Sequence, residues 1–512
     1  MVNTSILGFW PNNFNETPPN SYFIFFALKV NGQHYSLTGD EYYKNENYQS
    51  AAIAFKKDFV KTNDSLLLKK IGDSYLESDN NRTKAIKYYK SYLKFKPKDK
   101  EIWLKLSKTY LYQYDIEKAK ICLDEYVNLA RNKKKKIMLE FEHLSTFELH
   151  YENPKNISII NVGKTVNTSA NETFPIIDPK HKFLIFESNK LKSKGRIQLN
   201  GQLNKDLYIS RFNGTTFTTT RPLKKLNSND LEEISGYSEN IKTIYYKSKN
   251  PPINLYAIKK GLNYKKKGVD KFFHYLKDLE IHSMYEKSGG DLAFISAKQK
   301  GKKHHFQLFM LKKLPNKKWS SPISIPITNK KYNYINPFFH SPTNTLYFSS
   351  NLDDGLGGYD LYSTVFHSET NQWDEIENLG YPINSPYDEK NLSLTNDGST
   401  GFISTQREGG FGKYDIYKIS FLNEPVRRVI YLADFINPND NKPYQGLNLE
   451  VHDENKNVIG KYLPNEQTGT FTIILEMGNY EIVGIIEDEV IFMKKITVSE
   501  FDLQAELKKI KL

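Results

Sequence analysis

Between Gly39 and His150 apolar residues recur with helical spacing in segments parted by short polar turns, and the pattern repeats. The small residues Ala51, Ala85 and Ala119 stand 34 positions apart, and the large residues Phe55, Tyr89 and Leu123 follow each of them four positions later. About a dozen residues before each alanine comes another small residue (Gly39, Gly72 or Asp73, Ser107), accompanied by an aromatic at Tyr42, Tyr75 and Tyr110. Two helices cross closely only where small side chains meet, and large ones fill the gap to the next unit. The spacing therefore predicts three stacked helical hairpins. Trp103 and Leu106 complete the first helix of the third hairpin, and Pro97 ends the second hairpin where a proline stops a helix. A further helix is predicted over 133–150, from Lys133 to His150, with Met138, Leu139, Phe141, Leu144 and Phe147 as its apolar set, and it closes the stack before Pro154.

After Asn153 the period changes from helical to alternating, with Gly, Asn and Pro turns, which predicts a β region. A strand ending in Asp206-Leu207-Tyr208 recurs at Asn254, Gln307, Asp360 and Asp415, with offsets of 48, 53, 53 and 55. Upstream of each lies a strand that finishes in small polar residues: Phe183 to Asn189, Ile244 to Ser248, Leu292 to Ser296, Leu346 to Asn351 and Gly401 to Thr405. Units of this length suit the four-stranded blades of a β-propeller, which bury both faces against their neighbours, and closure removes exposed edges. Five units are visible, and a sixth can be completed from segments before Phe174. From Pro425 onward shorter strands, with turns at Gly469 and Gly478, predict a β-sandwich. The expected order is α then all-β: tetratricopeptide (TPR) hairpins over 39–153, a WD40-like β-propeller of 5 to 6 blades over 154–424 and a small sandwich over 425–512. A segment 1–38 precedes them. Within it the apolar run Tyr22 to Leu28 reads as a remnant of an export signal or as an element capping the first hairpin.

Charge adds one constraint. The formal net charge is +13, yet residues 421–512 hold 10 Lys/Arg against 15 Asp/Glu. The excess lies upstream in short clusters such as Lys265, Lys266, Lys267 and Lys302, Lys303, without a single basic stripe. This argues against a nucleic-acid partner and for acidic proteins or polyanionic glycans. The one cysteine, Cys122, falls on a packed helix face and excludes a disulfide framework. No apolar run reaches the roughly 18 to 20 residues that span a bilayer.

The segment from Asn378 carries a family resemblance. It reads Asn-Leu-Gly-Tyr-Pro-Ile-Asn-Ser-Pro-Tyr-Asp-Glu, then Asn396-Asp397-Gly398, Phe402-Ile403-Ser404, Arg407-Glu408-Gly409-Gly410-Phe411-Gly412 and Asp415-Ile416-Tyr417. It resembles the WD40-like (PD40) repeats of OmpA-family envelope proteins of Bacteroidetes, as does the preceding unit, from Phe348-Ser349-Ser350-Asn351 to Gly357-Gly358-Tyr359-Asp360-Leu361-Tyr362. Together with Gly446, Thr468-Gly469, Phe471, Gly478 and Tyr480 of a carboxypeptidase-regulatory-like sandwich, the domain order is similar to that of PorE-like components of type IX secretion. The resemblance implies a periplasmic, outer-membrane-associated scaffold for protein partners in secretion or gliding motility, with peptidoglycan or another glycan as the alternative partner. It leaves the peptidoglycan-binding OmpA-like domain of those relatives unmatched.

The search for chemistry returns little. The chain lacks a Gly-x-Ser-x-Gly elbow, a His-Glu-x-x-His pair and a Walker loop, so no catalytic residue, cofactor or metal is expected and the chain is read as not an enzyme. Gly355 to Gly358 and Gly409 to Gly412 sit between strands and read as turns needing positive φ. Asn351, Asp353, Asp354 and Asp360 are the one oxygen-rich group with a Ca²⁺-like composition, but turn chemistry accounts for it. His304 and His305 read as solvated, and Asp206, Asp360 and Asp415 as acceptors for backbone donors.

Overall fold

The structure, a computed structural model, describes residues 27–30, 33–78, 82–130, 134–178, 180, 182–190, 193, 197–213, 216–218, 220–229, 231–249, 252–260, 263–269, 276–407, 409–421, 429–435, 444, 446–464, 470–475, 478–487, 489–498 and 508–511. Tyr22 to Phe26 of the apolar run, with Lys133, Glu408, Thr468 and Gly469, lie outside the described residues. Two compact units form: one of described residues up to 155 and from 162 to 420, the other of 156–161 and 421–512.

Among the described residues of the first unit, the paired strands Ala27–Val30 and Gln33–Ser36 are followed by seven α-helices, α1 Gly39–Lys44, α2 Tyr48–Thr62, α3 Ser65–Glu77, α4 Ala85–Leu93, α5 Lys100–Tyr112, α6 Ile116–Leu129 and α7 Lys134–Glu152. Side-chain caps set the starts of α1, α2, α3 and α6. Thr38 and Glu41 form a reciprocal capping box, while Asp64 and Asp115 accept from the amides of Leu66 and Lys118. Helices α1 and α2, α3 and α4, and α5 and α6 pack as hairpins. The small residues sit where these helices cross: Ala51, Ala85 and Ala119 are fully buried. A Cβ on Gly39 would stand 2.4 Å from the Phe55 ring and one on Gly72 2.5 Å from Tyr89, while Ser107 donates to the Ala119 carbonyl at 2.7 Å. Ion pairs link successive first helices: Lys70 to Asp40 at 2.7 Å, Lys105 to Asp73 at 2.7 Å and Lys108 to Glu140 at 3.1 Å. Among the described residues no helix is long and apolar enough to cross a membrane.

Antiparallel sets of strands follow. Their inner strands are Glu172–Ile177, Glu232–Ser238, Leu279–Glu286, Tyr334–His340 and Glu389–Leu394. The second strands are Phe183–Ser188, Thr243–Lys249, Leu292–Gln299, Thr345–Ser350 and Thr400–Thr405, and the third strands begin at Asp206, Pro252, Gln307, Asp360 and Asp415. The second and third sets share one sheet because their inner strands pair in parallel, Met284 opposite Gly236. Glycine is required there, since a Cβ would lie 2.1 Å from the Met284 carbonyl oxygen.

Each set lies against the next, and the inner strand of the last lies against that of the first. Residues before Phe174 join the last set to the first. Val162 donates to the Ile416 carbonyl at 3.2 Å, and the Asn167 amide group exchanges both hydrogen bonds of Ile416, each at 2.9 Å. The Asn167 arrangement is repeated. Asn227 brackets Leu207 and Asn384 brackets Leu361 in the same way. The next residue, Thr168, Ser228 or Ser385, donates through its amide and its hydroxyl to a glutamate four positions on, Glu172, Glu232 or Glu389. All three glutamates are buried, so their lone pairs need these donors.

The helices dock on the fourth and fifth sets. Arg82 donates to Gln406 at 2.6 Å and lies over the rings of Tyr112 and Tyr387, at 5.1 and 5.9 Å from their centroids. The Tyr387 hydroxyl donates to the Tyr112 carbonyl at 3.0 Å, Tyr381 packs on Tyr114 and Tyr151, and Leu356 joins the helical core.

Among its described residues the second unit contains two sheets. Thr470–Leu475, Val429–Asp434 and Lys508–Lys511 form one; Val458–Tyr462, Asn448–His452, Gly478–Ile486 and Glu489–Val498 form the other. Leu447, Leu449, Val451, Phe471, Ile473 and Ile482 share their core, as a sandwich requires.

Candidate functional site

The inner strands share one irregularity. Register against the second strand shifts between Thr173 and Ile176, Ile234 and Gly236, Ile281 and Ser283, Ile335 and Phe338, and Lys390 and Ser393. These are bulges, which leave a residue unpaired and re-aim side chains. Phe174, Asn336 and Asn391 take left-handed φ values of 54°, 55° and 60° there. Asparagine tolerates that region better than phenylalanine.

Just before the bulges, charged residues stand in the cross-strand pairs: Glu233 faces Lys247 and Glu280 faces Lys298, while Glu187 faces Thr173 and Lys390 faces Ser404. Lys205 spans the first set, 2.9 Å from Glu187 and 3.0 Å from the Thr173 hydroxyl. Burial opposes its ammonium, but Glu187 and Glu233 outweigh burial and raise its pKa. Lys247 donates to the His282 carbonyl at 2.9 Å, and burial lowers its pKa against the pull of Glu233, Glu280 and Glu187. His282 is pushed down to about 3 by burial and then by Lys247, Lys390 and Lys298, lysines of three different sets. It is neutral at any ordinary pH. Asp388 accepts from the Tyr359 amide, Lys390 and the Tyr414 hydroxyl; although burial resists its charge, Lys390 prevails and its pKa is lowered. The inner strands thus gather ammonium and carboxylate groups of several sets at the centre of the circuit, engaged with one another and with backbone carbonyls.

The residues singled out by sequence fall elsewhere. Gly355 to Gly358 and Gly409 to Gly412 do form turns, but of these only Gly409, at φ 86°, has the positive φ expected. The others answer to close approach. A Cβ on Gly357 would lie 2.0 Å from the Tyr387 carbonyl oxygen and one on Gly412 1.6 Å from that of Ala170. The turns wrap a buried aspartate: Asp360 accepts from Gly357, and Asp415 from Phe411 and Gly412. Asn351, Asp353 and Asp354 do not gather round Asp360. They are occupied separately by the Asn333 amide, by Lys331 with Tyr332, and by Tyr362. His304 and His305 are exposed. Among the described residues no group of three or more His, Cys, Asp or Glu could hold a metal ion. The Cys122 thiol is pushed up to about 12 by burial and is inert. The charged centre escaped the sequence reading, and its one signal was lysine inside otherwise buried strands, Lys247 and Lys298.

No family model matches the sequence, and no curated protein matches it. Among solved structures it is similar to TolB from Acinetobacter baumannii, at 11% identity over 49% of this chain and 54% of that one, with a TM-score of 0.29. It therefore spans about half the length of that TolB. On its own topology, antiparallel sets of strands set side by side and closed into a circuit, the strand region has the form of a β-propeller. The β-propeller domain of Cps50 (Swd1) from Myceliophteria thermophila is 10% identical over 65% of this chain and 98% of that one, with a TM-score of 0.25. A thermostable family-43 glycoside hydrolase is 13% identical over 50% of this chain and 90% of that one, with a TM-score of 0.31. The expectation that the chain is not an enzyme is corrected by that similarity, because enzymes stand among the structures of this form.

Proposed function

We propose that the chain is a binding scaffold of the bacterial envelope, with a tetratricopeptide stack seated on a five-bladed WD40-like propeller and followed by a carboxypeptidase-regulatory-like sandwich. In this reading it holds protein partners at the periplasmic side of the outer membrane for type IX secretion or gliding motility. The observation that supports it most is the seating of the helices. Arg82, Tyr112, Tyr381 and Tyr387 join stack and propeller through buried aromatic and charged contacts, which gives two recognition surfaces one fixed geometry. Along the stack Leu66, Phe95 and Met138 are exposed apolar residues suited to an extended or helical peptide.

The test is isolation of tagged chain, after crosslinking, from the envelope of its native bacterium, with and without muramidase digestion. Secretion or gliding components that stay attached after digestion are the expected result. If every partner is lost on digestion, the chain is instead a glycan-binding module, and recovery of the chain from the cytoplasm overturns both readings.

A further inference from the structure

One end of the first blade carries a cavity of about 790 Å³ whose lining is dominated by cations: Lys180, Lys182, Arg211, Arg221 and Lys259. The blade builds it from three elements. The buried Asp178 ends the inner strand, and its carboxylate accepts from the backbone amides of Lys180 and Lys182 at 3.2 and 3.3 Å, which holds both lysines on one turn. Phe212 donates its amide to the Lys182 carbonyl at 2.9 Å, which sets Arg211 beside that turn. Lys259 comes from the second blade, its ammonium 4.4 Å from the centre of the Phe183 ring. Phe212, half-buried and braced by Phe217 at 5.3 Å, adds an aromatic wall.

Asp178 is the sole carboxylate among the described lining residues, and backbone amides already use it. Lys180, Lys182, Arg211 and Lys259 have no carboxylate within ion-pair distance among the described residues. Blade packing does not ask for this. The equivalent turn of the second blade carries one lysine, Lys242, with Glu239 three positions before it in the sequence, that of the third pairs Lys287 with Asp291, and residues 341–344 and 395–399 contain no lysine or arginine. Like charges gathered in a concave, part-apolar site raise one another's energy, and an anion relieves them.

We propose that this cavity binds a small glycan bearing at least two oxyanion groups, a bisphosphorylated sugar in the first instance. Arginine grips phosphate through two parallel hydrogen bonds, lysine adds point charge, and the aromatic wall takes the C–H face of the ring. The volume lies within the roughly 300 to 1,000 Å³ of small-molecule sites. The proposal stands apart from the scaffold reading and survives its failure.

Calorimetric titration of the full chain with fructose 1,6-bisphosphate tests it, with fructose, inorganic phosphate and digalacturonate as companions. One saturable site for the bisphosphate is expected, weakening as salt rises and at least about ten-fold tighter than for fructose or inorganic phosphate. The double variant Arg211→Glu, Lys259→Glu should weaken it at least about ten-fold with unchanged circular dichroism, whereas Lys302→Glu, Lys303→Glu, which alters net charge equally, should stay within about two-fold. Comparable binding of digalacturonate supports the site and assigns it to carboxylated glycans as well. The proposal is overturned by no saturable binding of either anionic sugar, by inorganic phosphate binding as tightly as the bisphosphate, or by an equal loss in the Lys302, Lys303 variant.

Discussion

His282 stands where charges of three blades meet, and its titration gives the centre of the propeller a measurable signature. Its ordinary pKa is 6.5 and the fold holds it at about 3, so below 6.5 the unfolded chain takes a proton that the folded chain refuses. The stability it contributes is whole above 6.5 and is lost as pH falls toward 3. Glu172 and Glu389 act in the other sense. Burial raises both to about 7, against the hydrogen bonds of Ser188 and Thr168 and the charge of Arg407, so their share is whole below 4.5 and is lost as pH rises through 7. Urea unfolding of His282→Gln over a pH series should show an acid limb flatter by up to about 1.4 kcal/mol per pH unit between about pH 4 and 6. An unchanged slope would mean that the imidazole is not held neutral by its neighbours. Single residues of this kind were poorly legible in the sequence. Asp360 and Asp415 announced themselves by repetition, but the central charges differ from blade to blade, with Glu233 and Lys247 in one and Ile335 and Ser349 in another. Packing residues repeat from blade to blade, and the central charges do not.

At the scale of elements the helices were the most legible part, because a crossing leaves a size constraint at a fixed spacing. Gly72 lets that constraint be measured. In an unconstrained helix Gly→Ala stabilises by about 1 kcal/mol, but here the added methyl would lie 2.5 Å from the Tyr89 ring. Overpacking of this kind costs about 1 to 3 kcal/mol and outweighs the gain in propensity. Gly72→Ala should therefore lower the thermal midpoint followed by far-UV circular dichroism, and a rise would show that the crossing has slack. The strands were legible as alternation and as a period near 50. The bulges were not, since Phe174-Pro175, Ser235-Gly236, Asn336-Pro337 and Asn391 reach one backbone irregularity through different residues. The partner taken by the residues before Phe174 was not legible for a related reason. The strand-like residues before Phe174 pair with the fifth blade, and alternation says nothing about which neighbour a strand takes.

For the molecule as a whole, what matters is how firmly helices and propeller act as one body, and Arg82 is the residue on which this turns. Its guanidinium lies over Tyr112 and Tyr387 and donates to Gln406, and burial opposes its charge while Tyr112, Asp388 and Tyr387 sustain it. A desolvated cation–π contact contributes up to about 2 kcal/mol and a charge-assisted hydrogen bond about 1.5 to 3. Loss of both in Arg82→Ala should cost roughly 3 kcal/mol, because the tyrosines and Gln406 would face a void. Lys155 makes the contrasting contact, an ion pair to Glu377 with both side chains well exposed, and pairs of that sort contribute about 0 to 1 kcal/mol. Differential scanning calorimetry should then resolve separate helical and propeller transitions in Arg82→Ala, together with faster proteolysis in the connection between Glu152 and Glu172, while Lys155→Ala keeps the parent profile. If Arg82→Ala also keeps it, the remaining contacts, Tyr381 with Tyr114 and Tyr151, Tyr387 with Tyr112 and Leu356 in the helical core, carry the junction. The fixed geometry claimed for the scaffold would then rest on apolar packing and not on the buried charge.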